Sequence, residues 1–227
     1  MKDIIESLRK RIQDAAIRCN RDPGGIRLIG VTKTKPVERV EEGIAAGLTD
    51  IGENYIQEAR DKIAGLSGAD VTWHFIGHLQ SNKAKYAVPL FDWIHTVDSL
   101  KLAREINKQA EKQEKVQKIL MEVNISGEAS KAGVSPDNAL SLADEISRLP
   151  DLSLRGLMTM PPFFDDPEAV RPYFAQLRKL ARTIAAQCLP NIRMEELSMG
   201  MTGDFEVAIE EGATMIRIGT AIFGARQ

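Results

Sequence analysis

The chain has 227 residues, 43% of them hydrophobic, and its 30 lysines and arginines against 32 aspartates and glutamates give a formal net charge of −2. A chain of this size buries roughly 70% or more of the surface that its unfolded form exposes, so its core needs no disulfide or structural metal. The near-neutral charge excludes the basic footprint of a duplex-binding protein, and we expect no nucleic-acid partner.

The first segment, MKDIIESLRKRIQDAAIRC, is charged throughout, which predicts an amphipathic helix rather than a signal peptide. No stretch of the sequence approaches the roughly 18 apolar residues of a membrane span. Cys19 and Cys188 lie far apart and have no Cys or His at metal-ligand spacing, which indicates reduced thiols and no metal site. We therefore expect a cytoplasmic protein without a membrane partner.

After this helix, short apolar runs alternate with segments of helical period. Eight strands are predicted, at residues 26–33, 48–54, 71–77, 93–98, 118–124, 152–160, 193–200 and 214–224. The helices between them are predicted to open at Pro36, Tyr55, Ser81, Ser99, Pro136, Pro167 and Thr202. This alternation predicts an α/β fold, one (β/α)8 TIM barrel over residues 1–227 with an extra N-terminal helix. A doubly wound open sheet is the alternative, but it usually has a Gly-rich loop where this chain has KTKP.

Functional groups of such a barrel lie at the carboxyl ends of its strands, and here those positions are polar. They are Lys33, Asn54, Gly77 followed by His78, Asp98, Asn124, Met160, Ser198 with Gly200, and Arg217 with Gly219. Because a packed barrel interior prefers branched aliphatic residues, polar groups there need partners or a ligand. The sequence therefore predicts a binding site at this end of the barrel.

Lys33 is the candidate nucleophile. Strand alternation puts Ile29, Val31 and Lys33 on one face, so Lys33 points inward at the barrel mouth if the other two fill the interior. A lysine among apolar walls has more of the free amine that attacks carbonyl groups. Lys35 has the same parity, but it directly precedes Pro36, where the chain has left the strand, and we expect its ammonium to be solvated. Two surface lysines at a strand end are the alternative.

The C-terminal region predicts an anion site. The segment LSMGMTGDFEVAIEEG reads as a strand, a glycine turn and a helix that starts near 202–204, and RIGTAIFG reads as a strand containing Gly219 and Thr220. Backbone N–H groups at a helix start, with the hydroxyls of Thr202 and Thr220, favour an anion. Barrels often bind phosphate after strands seven and eight. An ordinary tight turn with a capped helix is the alternative.

Arg217 lies two residues before Gly219 and shares its side of the strand, so it should point into the barrel near the anion site. A buried arginine keeps its charge and needs acceptors, either on a ligand or in a salt bridge to Glu195 or Glu196. An amine, an anion site and a fixed cation together fit one cofactor, pyridoxal 5′-phosphate, which has an aldehyde, a phosphate and a ring nitrogen.

Seven segments of the chain resemble one family. They are GVTKTKP, IGENYIQE, WHFIGHLQSNK, EVNISGEASKAGV, RGLMTM, LSMGMTGDFEVAIEEG and RIGTAIFGAR. Together they are similar, essentially end to end, to the pyridoxal phosphate homeostasis family, barrel proteins related to the N-terminal domain of alanine racemases. The resemblance implies a monomeric, fold-type-III-like barrel that carries and buffers this vitamin B6 cofactor, with no established catalytic turnover. PLP-dependent apoenzymes would be the recipients.

The resemblance also implies roles for individual residues. Lys33 would form the Schiff base, an internal aldimine, and Arg217 would lie near the pyridine nitrogen with Asn54 beside the ring. The phosphate contacts would come from Thr202, Gly219 and Thr220, with Ser198 and Gly200 in the adjacent turn. The family more often has serine where Thr202 stands, and Gly203 follows it here, but the hydroxyl is retained. For His78 a structural role at a helix N-terminus is expected.

The sequence favours a carrier over an enzyme. A permanently cationic arginine beside the ring nitrogen disfavours the pyridinium form and hence transaminase chemistry. Related racemases take a second base from a tyrosine of a further β domain, whereas this sequence ends at Gln227 after the predicted barrel, and its three tyrosines lie in or near predicted helices. A small amino-acid racemase or lyase, and a cofactor-free Schiff-base aldolase using Lys33, remain the alternatives.

Overall fold

The computed structural model describes residues 1–224 and shows a closed barrel of eight strands. Each strand pairs in parallel with the next, and the last pairs with the first. The strands are β1 (Arg27–Val31), β2 (Asp50–Glu53), β3 (Thr72–Phe75), β4 (Trp93–Val97), β5 (Gln117–Glu122), β6 (Leu152–Met158), β7 (Ile192–Ser198) and β8 (Met215–Ile218). The predicted (β/α)8 barrel is confirmed, although the strands end one to six residues earlier than predicted.

Helices connect the strands and surround the barrel. They are α1 (Lys2–Arg18), α2 (Val37–Ala45), α3 (Ile56–Gly65), α4 (Ala84–Ala87), α5 (Leu100–Lys112), α6 (Pro136–Ile146), α7 (Arg171–Ala185), α8 (Phe205–Glu210) and α9 (Thr220–Phe223), with short 3-10 helices at Pro23–Gly25, Ser81–Lys83 and Pro167–Val170. Most predicted openings are right to within one residue. The helix predicted to open at Thr202 begins at Phe205, because the intervening residues form the turn after β7.

The strand predicted over 214–224 is wrong in its second half, since β8 ends at Ile218 and α9 follows. Ile222 and Phe223 are buried outside the barrel, where an added Cβ at Gly43 would lie 3.3 Å from the Phe223 ring. A short apolar run does not distinguish a strand from a helix by its pattern alone. Residues 225 and 226 of the RIGTAIFGAR motif, and the end of the predicted domain, lie outside the described residues.

The extra N-terminal helix α1 is amphipathic and packs against α8. Its buried residues are Ile5, Leu8, Ile12, Ala15 and Ala16, which recur at the spacing of one helix face. On its exposed side, Arg11 pairs with Glu206 at 3.0 Å. In the described part of the chain, no helix is both long and apolar enough to cross a membrane.

An apolar layer fills the middle of the barrel. It consists of Ile29, Trp93, Leu120, Met158 and Met215, which point inward from five strands. The predicted parity of β1 is therefore confirmed, because Ile29 faces the interior and Val31 lines the cavity above it. The layer closes the barrel, so that a ligand at the carboxyl end meets a floor rather than a channel.

Candidate functional site

A cavity of about 310 Å³ opens at the carboxyl end of the barrel. Its volume lies at the lower end of the range of small-molecule sites, about 300–1,000 Å³. Six of the eight residues predicted to bind a cofactor line this cavity, namely Lys33, Asn54, Thr202, Arg217, Gly219 and Thr220. The fold thus brings together residues from both ends of the sequence, and their role in binding stays a prediction.

Lys33 stands in the turn after β1, two residues beyond the strand end, and is half-buried. The neighbouring Thr34 has a φ of 62°, so the turn passes through the left-handed region that non-glycine residues seldom adopt. Glu58 accepts the backbone N–H of Thr34 at 2.8 Å and thereby holds this conformation. Lys35 is also half-buried, but of the two lysines in KTK the described lining contains Lys33 alone.

A buried ion pair behind the barrel wall anchors the same turn. The amine of Lys62 on α3 donates to the carbonyl of Thr32 at 2.7 Å and to Glu53 Oε1 at 2.6 Å. Burial raises the pKa of Glu53, although the hydrogen bonds from Lys62 and Thr32 act in the opposite direction. Since both charged side chains are almost fully buried, each depends on the other to remain in the fold.

The anion end of the cavity combines two loops. Thr202 follows β7, Thr220 follows β8, and both side chains are exposed to the cavity space. These are the loops where barrels often bind phosphate, and anion binding by the two threonines stays a prediction. Asp204 also lines this end, and its carboxylate accepts the N–H of Met201 at 2.6 Å. Burial raises the pKa of Asp204, against the opposing effect of the Met201 N–H and of Arg217.

Ser198 and Gly200 do not contribute to the lining of the described cavity. Gly200 has a φ of 93°, and a Cβ there would lie 2.6 Å from that of Ala208, so the turn before α8 requires glycine. Ser198 is buried below the cavity, where its Oγ accepts a hydrogen bond from Arg217 at 2.6 Å. Both predicted residues therefore support the site from behind.

Arg217 forms part of the cavity wall and is only 5% exposed. Besides Ser198, it donates to the carbonyl oxygen of Thr159 at 3.0 Å. Burial lowers its pKa to about 10, against the opposing effect of the carboxylates of Asp204 and Glu122. The guanidinium thus keeps its positive charge at neutral pH while facing the cavity.

The alternative salt bridges of Arg217 are not formed. Glu195 pairs with Arg155, and Glu196 pairs with Arg27 at the opposite end of the barrel. The reason is the strand register, since Glu196 lies two residues before Ser198 on β7 and therefore one layer lower in the interior. Arg217 is left with neutral hydrogen-bond acceptors and an open side toward the cavity.

Asn54 gives an independent sign of a ligand. Its Oδ1 atom is buried and has no hydrogen-bond partner in the described part of the chain, although the residue lines the cavity. An orphaned buried acceptor is rare in native structures, because losing its hydrogen bond to water costs free energy. Together with the cation, the amine and the two hydroxyls, this set suits an anionic ligand that carries a carbonyl group and a hydrogen-bond donor.

Three other polar residues at strand ends lie outside the lining of this cavity. Asn124 organises its own loop by donating to the carbonyl of Glu128 at 2.9 Å and accepting from the N–H of Gly127 at 3.1 Å. His78 is exposed and lines a neighbouring groove, as does Tyr55. Asp98 lines a further surface pocket with His78. A position at a strand end was therefore not sufficient to place a residue in the cavity.

The sequence prediction missed most of an apolar wall and a buried polar interior. Beside the predicted strand-end residue Met160, the loop after β6 supplies Phe163 and Phe164, and Phe163 is 84% exposed at the cavity mouth. His74 and His95 are fully buried inside the barrel. Their alternation with apolar neighbours in TWHF and WIHTV was the available signal, since it places both on the inward face of their strands.

Fold and site define a (β/α)8 barrel whose carboxyl-end cavity is lined by an amine, a buried cation and two threonine hydroxyls. Residues 5–227 match the family model of the alanine racemase N-terminal domain. The chain is 46% identical over 226 residues to the pyridoxal phosphate homeostasis protein of Vibrio alginolyticus, covering 98% of this chain and 96% of that protein. The protein of the same name from Aquifex aeolicus is 46% identical over 218 residues, 96% of this chain and 95% of its own. The chain therefore belongs to the alanine racemase N-terminal domain family, among the pyridoxal phosphate homeostasis proteins.

Solved structures agree with this membership. A protein of unknown function from Bifidobacterium adolescentis matches with a TM-score of 0.92 and 39% identity, over 98% of this chain and 94% of that one. PipY of Synechococcus elongatus, solved with PLP bound, matches with a TM-score of 0.82 and 38% identity over 94% of this chain and 100% of its own. An alanine racemase from Clostridium difficile shares the fold at 14% identity and a TM-score of 0.76.

Removing one partner of the buried Lys62–Glu53 pair should destabilise the fold strongly. Lys62→Met would leave the Glu53 carboxylate buried without its partner, and we expect the free energy of unfolding to fall by about 3–5 kcal/mol in urea titrations. The double variant Lys62→Met with Glu53→Gln removes both charges and should recover much of that loss. If the free energy of unfolding of Lys62→Met lay within about 1 kcal/mol of the wild-type value, the pair would not have the stabilising role assigned to it.

Glu122 predicts a pH dependence of stability. Burial, and then the like charge of Asp98, raise the pKa of this carboxyl from 4.5 to about 7, against the effect of Arg217. Between those two values the folded protein holds a proton that the unfolded chain has lost, so stability falls as the pH rises. Glu122→Gln should remove this fall, gaining up to about 3 kcal/mol over wild type from acidic to mildly alkaline pH in denaturant titrations. If the free energy of unfolding of the two proteins changed with pH in parallel, Glu122 would not be the source of the pH dependence.

Proposed function

We propose that the chain binds pyridoxal 5′-phosphate in the carboxyl-end cavity and acts as an intracellular carrier in the homeostasis of this cofactor. The observation that carries the proposal is the meeting of Lys33, Arg217, Thr202 and Thr220 around one cavity that also contains the orphaned acceptor of Asn54. The names of its relatives and the PLP-bound structure of PipY support it.

Lys33 would hold the cofactor covalently. Its amine condenses with the aldehyde carbon, so that a C=N bond forms and one water molecule leaves. The bond is reversible by hydrolysis, which suits storage and release. Pyridoxal phosphate itself supplies that aldehyde and a ring that can withdraw electrons. The turn anchored by Lys62 and Glu58 holds the backbone of the nucleophile in place.

Arg217 and the two threonines would bind the rest of the molecule. A guanidinium has donors only, so a ring nitrogen that faces Arg217 acts as the acceptor and stays unprotonated. This weakens the ring as an electron sink. The hydroxyls of Thr202 and Thr220, with the backbone after β8, would bind the phosphate. The exposed apolar side chain of Phe163 would cover one side of the entrance.

The described acid–base groups favour a carrier without turnover. Racemisation needs a proton donor or acceptor on each face of the bound substrate, and Lys33 supplies one. The described lining contains no tyrosine and no histidine, and the carboxylate of Asp204, its one acidic residue, accepts the N–H of Met201 at the end formed by the loops after β7 and β8. Tyr55 lies at the start of α3 and lines the neighbouring groove, while Tyr86 and Tyr173 lie within α4 and α7. The distant barrel enzymes share the fold, and the non-catalytic role is our proposal.

Further parts of the proposal follow from the expectations set by the sequence. The proposal keeps the monomer that the resemblance implies. A single domain over 1–227, a cytoplasmic location and delivery to PLP-dependent apoenzymes belong to it as well. Assays of racemase and lyase turnover over a panel of amino acids should show none, and steady turnover of any of them would overturn the carrier role.

Absorbance spectroscopy tests the covalent site. Wild-type protein incubated with pyridoxal phosphate and freed of excess by gel filtration should show a near-visible band with induced circular dichroism. Lys33→Ala should lose that band, because the nucleophile is gone. Lys35→Ala is the matched control, since it removes an amine from the same segment but outside the described lining, and it should keep the band. A colourless wild type, or an undiminished band in Lys33→Ala, would contradict the proposal.

A further inference from the structure

Four hydrogen bonds connect five buried side chains across the barrel interior. Arg217 donates to Ser198 Oγ at 2.6 Å, and Ser198 Oγ lies 3.0 Å from His95 Nδ1. His95 Nε2 lies 2.9 Å from His74 Nδ1, and His74 Nε2 lies 3.0 Å from Asp50 Oδ1. The chain of contacts passes through β8, β7, β4, β3 and β2 in that order. We call these five side chains, with the four hydrogen bonds between them, the relay.

The relay joins the two ends of the barrel. Arg217 lines the carboxyl-end cavity, as described above. Asp50 is the first residue of β2 and lines a different cavity at the amino end, together with Asp22 and Arg27. A group that faces the ligand is thus connected, through side chains alone, to a carboxylate near the opposite surface.

The carboxylate end of the relay fixes the direction of the hydrogen bonds when both rings are neutral. An ionised carboxylate has acceptors only, so His74 donates from Nε2 to Asp50, and its Nδ1 accepts from His95 Nε2. His95 Nδ1 is then an acceptor, and the Ser198 hydroxyl donates to it while accepting from Arg217, which has donors only. The opposite order would place an unprotonated His74 nitrogen against the carboxylate, where both atoms are acceptors.

The charges around the relay agree with this assignment. Burial lowers the pKa of His74 and brings that of His95 well below its usual value, so both rings are neutral. Burial alone would raise the pKa of Asp50, but the hydrogen bonds from His74 and Thr49 and the charge of Arg27 contribute to lowering it. The further charged groups that act on the histidines are Arg27, Asp92 and Arg217.

We propose that Ser198, His95, His74 and Asp50 are positioning residues that orient the Arg217 guanidinium and let Asp50 balance its charge from the far end of the barrel. The proposal rests on the proposed function for the identity of the ligand that Arg217 faces. Hydrogen bonds in such a chain polarise one another, so the carboxylate strengthens each bond up to the arginine. Apolar side chains of similar shape could fill the same space at little cost in stability, which indicates a role beyond packing.

The first test measures histidine tautomers by nitrogen-15 NMR in the protein without cofactor. Both histidines should show one neutral form with the proton on Nε2. Asp50→Asn replaces the carboxylate by a group that both donates and accepts, so His95, which does not contact residue 50, should lose its single tautomer. Asp22→Asn removes the same charge from the same amino-end cavity and should leave both rings unchanged. Unchanged His95 signals in Asp50→Asn would overturn the proposal.

The second test measures cofactor binding. Asp50→Asn should still form the covalent band, because Lys33 is intact, but release pyridoxal phosphate with a dissociation constant about tenfold higher and a shifted band maximum. Ser198→Ala, which breaks the relay beside Arg217, should do the same even if Asp50→Asn folds poorly. Wild-type affinity and spectrum in both variants would overturn the relay. A wild type that never loads would instead refute the proposed function, and the tautomer measurement then decides the relay by itself.

Discussion

A permanent positive charge buried at the mouth of the barrel organises this structure. Arg217 is 5% exposed and keeps its charge, so the fold must surround it with acceptors or with a ligand. The protein supplies a hydroxyl and a carbonyl from Ser198 and Thr159, and leaves the side toward the cavity open. The polar interior of the barrel, from His95 to Asp50, is arranged around that requirement.

The second buried cation, Lys62, shows a contrasting solution. It pairs directly with Glu53 and holds the backbone before Lys33, outside the barrel wall. Lys62 is therefore compensated at contact distance and fixes the turn that contains Lys33. Arg217 is compensated indirectly and keeps one side open to the cavity. This difference explains how a small cavity combines an amine on a fixed turn with a positive charge that faces the cavity.

Strand parity was enough to predict that Ile29 and Val31 face the interior, because a period of two fixes which side chains point inward. Lys33 lies in the turn two residues beyond β1, so its place in the cavity lining depends on the conformation of that turn. The eightfold alternation predicted the barrel, yet 220–223 form a helix that an apolar run alone could not reveal. The relay could not be predicted, since its members come from five strands whose layers are set by the barrel register. Asp204 at the anion end and Phe163 at the mouth depend on loop conformations that sequence patterns do not specify.

The most direct measurement is peptide mapping after hydride reduction of the protein loaded with pyridoxal phosphate. Trypsin cuts after an unmodified Lys33 but not at the bond between Lys35 and Pro36. An adduct on Lys33 therefore yields one uncut peptide spanning residues 28–39, whereas an adduct on Lys35 yields a peptide spanning 34–39. We predict the longer peptide with the added mass. The shorter modified peptide, an adduct on another lysine, or no adduct would contradict the account.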